Sequence, residues 1–377
     1  MSAGAGAEGA PEKGQGHSIY GRMPAWFDGS GPEGDVVVST RIRLARNVSG
    51  RKFPARASIM EKRDMFQDVA RHLSGASRRK RPVLDFEVID VAKLRKIEQH
   101  FLVEERKVSA DLLKGEGSRG VACDPKGKLS VMINEEDHLR IQGMDSGFHT
   151  FDLWEEMDKL DDDIGAMLRY AYSERLGFLT ACPTNSGTGL RVSYLMHLPA
   201  LVLTKAIEPV LQGASQMGIS TRGFFGEHSD VLGNFFQLSN RATLGASEAE
   251  FIESASGVVK EIIGHERSAR ERLMKEAKLE VSDKVGRACG ILRSARMLSF
   301  GELLNLTSSV RLGIECGLYS GYTTAGINRI VLICMPAHLQ VYISNMRDAP
   351  DDLEVARADA ARTFFAEESV KGRRKKN

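Results

Sequence analysis

Short apolar-rich runs recur through the first 240 residues of the chain and predict β-strands. The runs expected to be strands cover residues 35–40, 83–89, 128–134, 138–144, 191–198 and 235–240. The third and fourth runs are separated only by the acidic tripeptide 135–137, and this spacing is typical of a hairpin.

In other segments, apolar residues lie three and four positions apart and predict helices. Helices are expected over 61–75, where Gly75 ends the pattern, over 93–105 and over 152–178. From about Ser247 onward the pattern is almost wholly helical. Strands first and helices afterwards predict an α+β catalytic domain followed by a helical domain.

The boundary between these two domains is predicted near residue 270. Residues 1–23 are rich in Gly and Ala, with few core-forming side chains, and are expected to be a disordered tail. A catalytic domain is then expected over 24–270, a helical dimerisation and docking domain over 271–365, and a basic disordered tail over 366–377.

Composition narrows the class of protein. The 377 residues include 52 Lys and Arg against 50 Asp and Glu, and a net charge of +2 indicates neither a nucleic-acid partner nor a membrane surface. No apolar run approaches the roughly 18 residues that span a bilayer. The five cysteines are scattered without a C-x-x-C pair, which argues against a zinc site or a disulfide framework and favours the reducing cytoplasm.

The stretch CPTNSGTGLR, at 182–191, places small polar residues between apolar runs and ends on one long cation. Gly187 and Gly189 would let the backbone come close to a ligand, and the planar guanidinium of Arg191 matches phosphate oxygens. The same residue types are common in surface turns. By itself, the stretch leaves a phosphate site and an ordinary loop open.

Two further motifs carry paired charges. In STRIRLARN (39–47), Arg41 and Arg43 are two positions apart, so on an extended chain both side chains face one side. An anion or salt bridges to acidic residues elsewhere would relieve their repulsion. In NEEDHLR (134–140), the acidic run 135–137 precedes His138 and Arg140. A solvated turn and a cation site both remain open there, but zinc is not favoured because no second His or Cys stands at ligand spacing.

A glycine-punctuated loop, TRGFFGEHSD (221–230), contains Arg222 and Glu227 and suits either a closing lid or an ordinary mobile loop. Together the motifs supply several arginines for phosphates and two carboxylates, Glu136 and Glu227, for a nucleophile. Phosphoryl transfer depends mainly on positioning and charge stabilisation. The set would make a coherent phosphotransferase, although spacing along the sequence does not by itself show that these groups meet.

These four motifs, in this order across roughly residues 24–245, resemble the guanidino (phosphagen) kinase family of arginine and creatine kinases. Within that family the chain is similar to the bacterial enzymes that phosphorylate arginine in proteins. LVEERKVS (102–109), ILRSARMLSF (291–300) and MPAHLQ (335–340) extend this bacterial similarity to about residue 345.

The resemblance implies an antiparallel sheet flanked by helices, with ATP and Mg²⁺ as cofactors. It implies that ATP is held by Ser39, Arg41, Arg43, Arg140, Arg191 and Arg222. Glu136 and Glu227, with Glu135 beside them, would clamp and deprotonate the acceptor guanidinium, and Cys182 matches the family's reactive cysteine next to it. No metal site built from protein ligands is expected, because ATP oxygens and water often hold Mg²⁺.

The chain departs from the family pattern at two places. Ser186 stands where the family usually has Leu. In the C-terminal domain, LEVARA (353–358) replaces the RDxxRA motif that binds phosphoarginine in the bacterial enzymes, so only Glu354 and Arg357 remain for a regulatory phosphoarginine site.

The expected acceptor is an arginine exposed on a protein. STRIRLARN begins only 39 residues in, which leaves no room for the helical domain that covers small substrates in arginine and creatine kinases. A small-guanidine phosphagen kinase and a non-catalytic adaptor that binds phosphoarginine or ATP are the alternatives. We expect a homodimer, and the resemblance implies an activator protein and a Clp protease as partners.

Overall fold

The computed structural model describes residues 23–74, 85–223, 232–344 and 352–374, with side chains described through residue 366. Eight of the described strands form one sheet: β1 (Val37–Arg46), β2 (Glu87–Asp90), β3 (Gly120–Cys123), β4 (Leu129–Ile133), β5 (Leu139–Ser146), β8 (Leu190–His197), β9 (Ile219–Arg222) and β10 (Phe235–Asn240). Their order in the sheet is β2-β3-β4-β5-β1-β8-β10-β9. All seven neighbouring pairs are antiparallel, which confirms the predicted fold class.

Helices surround this sheet and form the C-terminal region. Those that precede the last strand are α1 (Ile59–Leu73), α2 (Lys96–Glu104), α3 (Ala110–Lys114), α4 (Thr150–Met167), α5 (Pro199–Leu203) and α6 (Ile207–Gln216). Those that follow it are α7 (Glu248–Glu276), α8 (Lys278–Ser294), α9 (Phe300–Glu315), α10 (Thr324–Ile333), α11 (Pro336–Ser344) and α12 (Leu353–Arg374).

One face of the sheet is apolar and packs against α4 and α7. Ile42 and Leu44 of β1 are fully buried there, together with Met157 of α4 and Val259 of α7. Burial of such a side chain contributes about 1.5–3 kcal/mol. Because alternate residues of a strand face opposite sides, this burial directs Arg41 and Arg43 to the other face.

The C-terminal helices α8, α9, α10 and α12 enclose a second apolar core, which includes Val285, Leu303 and Phe365. A third cluster joins this region to the sheet: Trp26 and Val38 pack with residues that include Leu304, Val331 and Met335. The aliphatic segments of α9 and α10 are thus largely buried within the chain. α7 runs continuously through residue 270, and the predicted domain boundary stays a prediction.

The helix predicted over 152–178 is wrong over its last eleven residues, 168–178. α4 ends at Met167, and Tyr172–Ser173 (β6) and Gly177–Phe178 (β7) form a separate two-stranded hairpin. Helical spacing continues beyond Met167 in the sequence, but tertiary hydrogen bonds prevail. The amide of Ala171 donates to the carbonyl of Asn47 at 2.7 Å, and Gly177 adopts φ +68°, a conformation that glycine supplies readily.

The other predicted strands and helices correspond to observed elements, but β3, β9, α3, α5 and α6 had no predicted counterpart. α12 continues to Arg374, although a disordered tail was expected from residue 366. Glu, Lys and Arg in this stretch are good helix formers. The predicted N-terminal tail, except residue 23, and the first residues of the 83–89 run lie outside the described residues.

In the described part of the chain, no single helix is long and apolar enough to cross a membrane. α10 and α11 reach that length and hydropathy only as a pair, and their axes are bent by 77° at the junction.

Candidate active site

The arginines predicted to bind phosphates lie on the polar face of the sheet. They are Arg41 and Arg43 on β1, Arg140 on β5, Arg191 on β8 and Arg222 on β9. Directly paired residues of neighbouring strands share a side, and the register places Arg43 opposite Arg191 on one flank and opposite Gln142 on the other. Five guanidinium groups from four strands therefore converge, which sequence spacing alone could not establish.

A cavity of about 1000 Å³ opens over this face, a volume typical of a ligand pocket. Its lining includes the five arginines together with Arg106, Glu135, Glu136, Cys182, Thr184, Asn185 and Gln237. Met335 also lines it, so the C-terminal region contributes to the wall. The sheet face that forms the floor of the cavity is therefore cationic, and two carboxylates of the acidic turn belong to the same lining.

The environment of the cavity disfavours the charged form of Arg41 and Arg43. Burial, followed by the neighbouring cations Arg106 and Arg140, lowers the pKa of Arg41 to about 9. Burial and the adjacent Arg41 lower the pKa of Arg43 well below its ordinary value. The Nε atom of Arg43 is also buried without a hydrogen-bond partner. Since arginine remains charged in proteins, a bound anion would offset the repulsion between these groups and make the cavity a suitable anion site.

One cation is already held by a neutral acceptor. Arg41 donates through Nε to the Oε1 atom of Gln142 at 2.7 Å, and its Nη2 contacts the same oxygen. Gln142 in turn donates through Nε2 to the backbone carbonyl of Arg106 at 2.8 Å. This chain of hydrogen bonds fixes the side chain of Arg41 without cancelling its charge.

The acidic turn separates into carboxylates with different surroundings. Glu135 Oε1 lies 2.8 Å from Nη1 of Arg140 and accepts from Ser109 Oγ at 2.6 Å. Glu136 is 42% exposed and pairs more loosely with Arg140 at 3.3 Å. Partial burial and the neighbouring Asp137 raise the pKa of Glu136, against the opposing effect of Arg140. Glu136 is thus the more available carboxylate.

The third carboxylate of the turn has a structural position. Asp137 is 1% exposed and accepts hydrogen bonds from Asn47 Nδ2 at 2.6 Å and from the amide of Ala181 at 2.7 Å. His138 is buried as well, and its Nδ1 accepts from the amide of Val48. Within the described residues, no group of three or more His, Cys, Asp or Glu could hold a metal ion.

The glycines of the 182–191 loop serve its own fold. A Cβ on Gly187, at φ +107°, would lie 2.2 Å from the carbonyl of Thr243, and one on Gly189 would lie 2.7 Å from that of Ala45. The interpretation that these glycines make room for a ligand is therefore wrong. The space beside each of them is filled by the backbone of the chain itself. Ser186, the departure from the family pattern, lies 3.1 Å through its hydroxyl from Thr180 Oγ1.

The remaining predicted residues divide into three cases. Cys182 lines the cavity, and its Sγ lies 2.9 Å from Thr184 Oγ1. Ser39 shares the face of the arginines but is 3% exposed within the sheet and does not line the cavity. Glu227 lies outside the described residues.

In the C-terminal region, Arg357 is buried and holds other parts of the chain. Its Nε donates to the carbonyl of Cys334 at 3.0 Å, and its Nη1 donates to that of Leu298 at 2.9 Å. Glu354 is exposed on the first turn of α12. The two residues expected to form a phosphoarginine site thus differ sharply in accessibility.

Sequence reasoning missed Arg106, Ser109 and Gln142. Gln142 had a usable signal, because it lies two positions after Arg140 on a predicted strand and must share its face. Arg106 lies just beyond α2 with φ +59°, and its side chain is carried over the ring of Trp26 at 5.0 Å. No local pattern indicates that this turn reaches the arginine cluster.

Known protein families match both parts of the chain. The model for the ATP:guanido phosphotransferase C-terminal catalytic domain matches residues 66–269, and the model for the protein-arginine kinase McsB C-terminal domain matches residues 278–376. The chain belongs to the ATP:guanido phosphotransferase family and is a kinase, as its motifs predicted.

Individual relatives show to which group of this family the chain belongs. A protein-arginine kinase of Moorella thermoacetica is 39% identical over 351 residues, which cover 92% of this chain and 98% of the relative. The protein-arginine kinase of Bacillus subtilis (strain 168) is 37% identical over 342 residues, covering 91% and 93%. Within the guanidino kinases, the chain thus belongs with the protein-arginine kinases.

Solved structures agree on the fold. A lombricine kinase superposes with a TM-score of 0.55 at 25% identity, covering 64% of this chain and 68% of that one. The duplicated taurocyamine kinase from Schistosoma mansoni with bound transition-state analogue components gives a TM-score of 0.56 at 19% identity, covering 77% and 48%. The latter supports the fold alone.

Proposed function

We propose that this enzyme transfers the γ-phosphoryl group of ATP to arginine side chains of proteins. The observation that carries the proposal is the convergence of five arginines from four strands on one cavity, whose lining also includes Glu135 and Glu136. The similarity of this chain to protein-arginine kinases, which extends over more than 90% of its length, supports arginine as the acceptor.

The arginines bind the phosphates and the transferring group. Arg43 and Arg191, opposite each other on the floor, suit the nucleotide phosphates, and Arg41, Arg140 and Arg222 surround them. In phosphoryl transfer, charge spreads over the equatorial oxygens of the transferring group. Guanidinium forks meet that charge with paired N–H donors and require no rearrangement as it develops.

The acceptor is bound by Glu136 and Glu227. A protonated guanidinium has a pKa above about 12 and is a poor nucleophile. Two carboxylates can hold its N–H groups and aim one nitrogen at the γ-phosphorus. The raised pKa of Glu136 suits it to accept the departing proton. Glu135, paired with Arg140 and Ser109, orients that arginine, and Cys182 borders the acceptor side.

Mg²⁺ fits this site only as a companion of the nucleotide. The cavity floor presents N–H donors, and the described residues hold no cluster of three metal-binding side chains. The residues present therefore suit a cation held by phosphate oxygens and water, which would neutralise part of the charge on the β- and γ-phosphates.

The partners follow from the same proposal. The acceptor is an arginine exposed on a protein, and the protein acts in the cytoplasm. A homodimer would use the apolar side chains left exposed around α8, since Leu279 is 79% exposed and Met297 is 55% exposed. An activator protein and a Clp protease remain partners that the family resemblance implies.

A transfer assay separates this function from its alternatives. Radiolabelled ATP is offered with an unfolded protein, with free arginine and with creatine as separate acceptors. Acid-labile label on the protein, with little on either small guanidine, is expected. Preferential labelling of free arginine or creatine would indicate a small-guanidine kinase, and ATP binding without transfer to any acceptor would indicate an adaptor.

A further inference from the structure

The C-terminal region forms hydrogen bonds with the end of α2 next to the cavity. Glu104, the last residue of α2, caps the start of α11: its Oε1 accepts from the amide of Ala337 at 2.7 Å, and its Oε2 accepts from the amide of His338 at 3.0 Å. The imidazole Nδ1 of His338 lies 2.7 Å from the same Oε2. One carboxylate thus joins the two regions through three contacts.

The imidazole is enclosed on its remaining sides. Its ring stacks on Phe101 with centroids 4.1 Å apart, and its Nε2 lies 3.4 Å from Oε1 of Glu105. The second oxygen of Glu105 pairs with Lys107 at 3.0 Å. His338 is 9% exposed and Glu105 is 4% exposed, so solvent screens the group weakly.

The segment that follows α2 forms a wall of the cavity. It is linked to two of the arginines proposed to bind phosphates, in each case through one bridging side chain. Arg106 offers its carbonyl to Gln142, whose Oε1 accepts from Arg41. Ser109 donates to Glu135, which pairs with Arg140. The position of this wall segment (residues 103–111) therefore bears on how both cations are aimed.

We propose that Glu104 and His338 are positioning residues that fix the wall segment and thereby order Arg41 and Arg140 for the nucleotide. This inference rests on the proposed function, since it concerns the same cavity. The C-terminal region then contributes to ATP binding from outside the cluster of arginines.

The charge of His338 makes the contact sensitive to pH. Burial lowers the pKa of His338, but the hydrogen bonds to Glu104 and Glu105 outweigh burial and raise it overall. Among the described residues, Lys107 pairs with Glu105, and Arg357 interacts electrostatically with Glu104. Because the folded-state pKa is raised, the stabilisation is complete at low pH and is lost as pH rises through that pKa. The loss falls above the ordinary value of about 6.5.

The test compares four variants of the full chain. His338→Gln removes the charge, His338→Phe keeps a ring on Phe101, and Glu104→Gln keeps the shape of the carboxylate. His100→Gln repeats the first substitution at an exposed position of α2 and serves as the control. ATP affinity is measured by calorimetry, and KM for ATP and kcat are measured between about pH 6 and pH 9.

Both His338 variants and Glu104→Gln are expected to weaken ATP binding by on the order of two- to thirtyfold, with a smaller effect on kcat. KM for ATP of the wild type should rise with pH where His338 loses its proton, and His338→Gln should lack that rise. The proposal would be overturned if the His338 variants and Glu104→Gln bound ATP as tightly as His100→Gln and showed the same dependence of KM on pH. Calorimetry keeps the two failures apart: a wild type that binds ATP without labelling arginine contradicts the proposed function alone.

Discussion

Arg43 on β1 lies directly opposite Arg191 on β8, with both side chains on the cavity face of the sheet. Like charges in this relation are destabilising, and burial, followed by the charges of the neighbouring arginines, lowers the pKa of Arg43 well below its ordinary value. A fold that keeps such a pair buried next to a cavity sacrifices stability in the free protein. A bound polyphosphate attracts both guanidinium groups and so offsets their mutual repulsion.

Replacement of Arg191 by Met is therefore expected to weaken ATP binding without destabilising the free protein. Each charge-assisted contact contributes roughly 1.5–3 kcal/mol, so the affinity should fall about ten- to a hundredfold. Arg191→Lys should restore only part of it, because an ammonium lacks the planar fork. Calorimetry and thermal unfolding measure the two effects, with Arg175→Met, an exposed arginine of the β6–β7 hairpin, as the control. Unchanged ATP affinity together with unchanged turnover would refute the assignment.

The acceptor carboxylates should affect transfer and spare ATP binding. Glu136→Gln and Glu227→Gln each keep the side-chain shape and remove the charge that holds and deprotonates the guanidinium. Loss of a general base typically costs about 10²–10⁴ in rate. Turnover is measured with a protein acceptor and ATP affinity by calorimetry, and the exposed Glu174→Gln is the control. Near-normal phosphorylation by both variants would exclude the role.

Much of the fold and site was predictable because their signals are local. Apolar runs located β1, β4, β5, β8 and β10, and the strand period placed Arg41 and Arg43 on one face. The convergence of these arginines with Arg191 and Arg222 depends on which strands are neighbours. That order is set by long-range packing, which spacing along the chain does not encode.

The errors have specific physical causes. The helix pattern continues through 168–178, but hydrogen bonds to Asn47 and the turn at Gly177 favour a hairpin. Gly187 and Gly189 suggested a ligand, whereas the chain's own carbonyls occupy the space beside them. In both cases the competing partner lies far away in the sequence.

The rate of transfer should depend on the ionisation of Glu136. Burial and Asp137 raise its pKa, so the carboxyl is protonated over more of the acidic range than an ordinary Glu, whose pKa is about 4.3. Only the ionised form can accept a proton, so kcat/KM for the protein acceptor, which reports the free enzyme, should fall as pH falls through this raised pKa. In Glu136→Gln, the low residual rate should lack that acidic limb. A pH–rate profile whose acidic limb is identical in both proteins would contradict this assignment.

The ion pair of Arg46 and Asp161 should be the main anchor of the 182–191 loop. Arg46 is 1% exposed, pairs with Asp161 at 2.6 Å and donates through Nη1 to the carbonyl of Thr188 at 2.7 Å. Asp161→Ala leaves a buried charge unpaired, which typically costs about 3–5 kcal/mol. Urea unfolding measures the loss, and the exposed Asp162→Ala is the control. Equal free energies of unfolding for the two variants would show that the pair is not an anchor.

Free phosphoarginine is expected to bind the C-terminal region weakly and to activate the kinase little. Recognition of phosphoarginine needs a cation for the phosphate and a carboxylate for the guanidinium N–H groups. Leu353 supplies no charge, and Arg357 is buried with donors committed to the carbonyls of Cys334 and Leu298. Turning Arg357 toward a ligand would leave those carbonyls without donors, at about 1–3 kcal/mol each.

Calorimetric titration of phosphoarginine into the full chain tests this expectation. The Arg191→Met background separates binding in the C-terminal region from binding of the reaction product in the cavity. Glu354→Gln alters an exposed residue and leaves the buried contacts of Arg357 in place, so it tests the remaining carboxylate without unfolding the region. Micromolar binding that persists in Arg191→Met and disappears when Glu354→Gln is added would show that the site survives in altered form. Heat changes too small to fit in either background are the expected result, because Glu354 can pair only with the guanidinium of the ligand and the donors of Arg357 are held by backbone carbonyls.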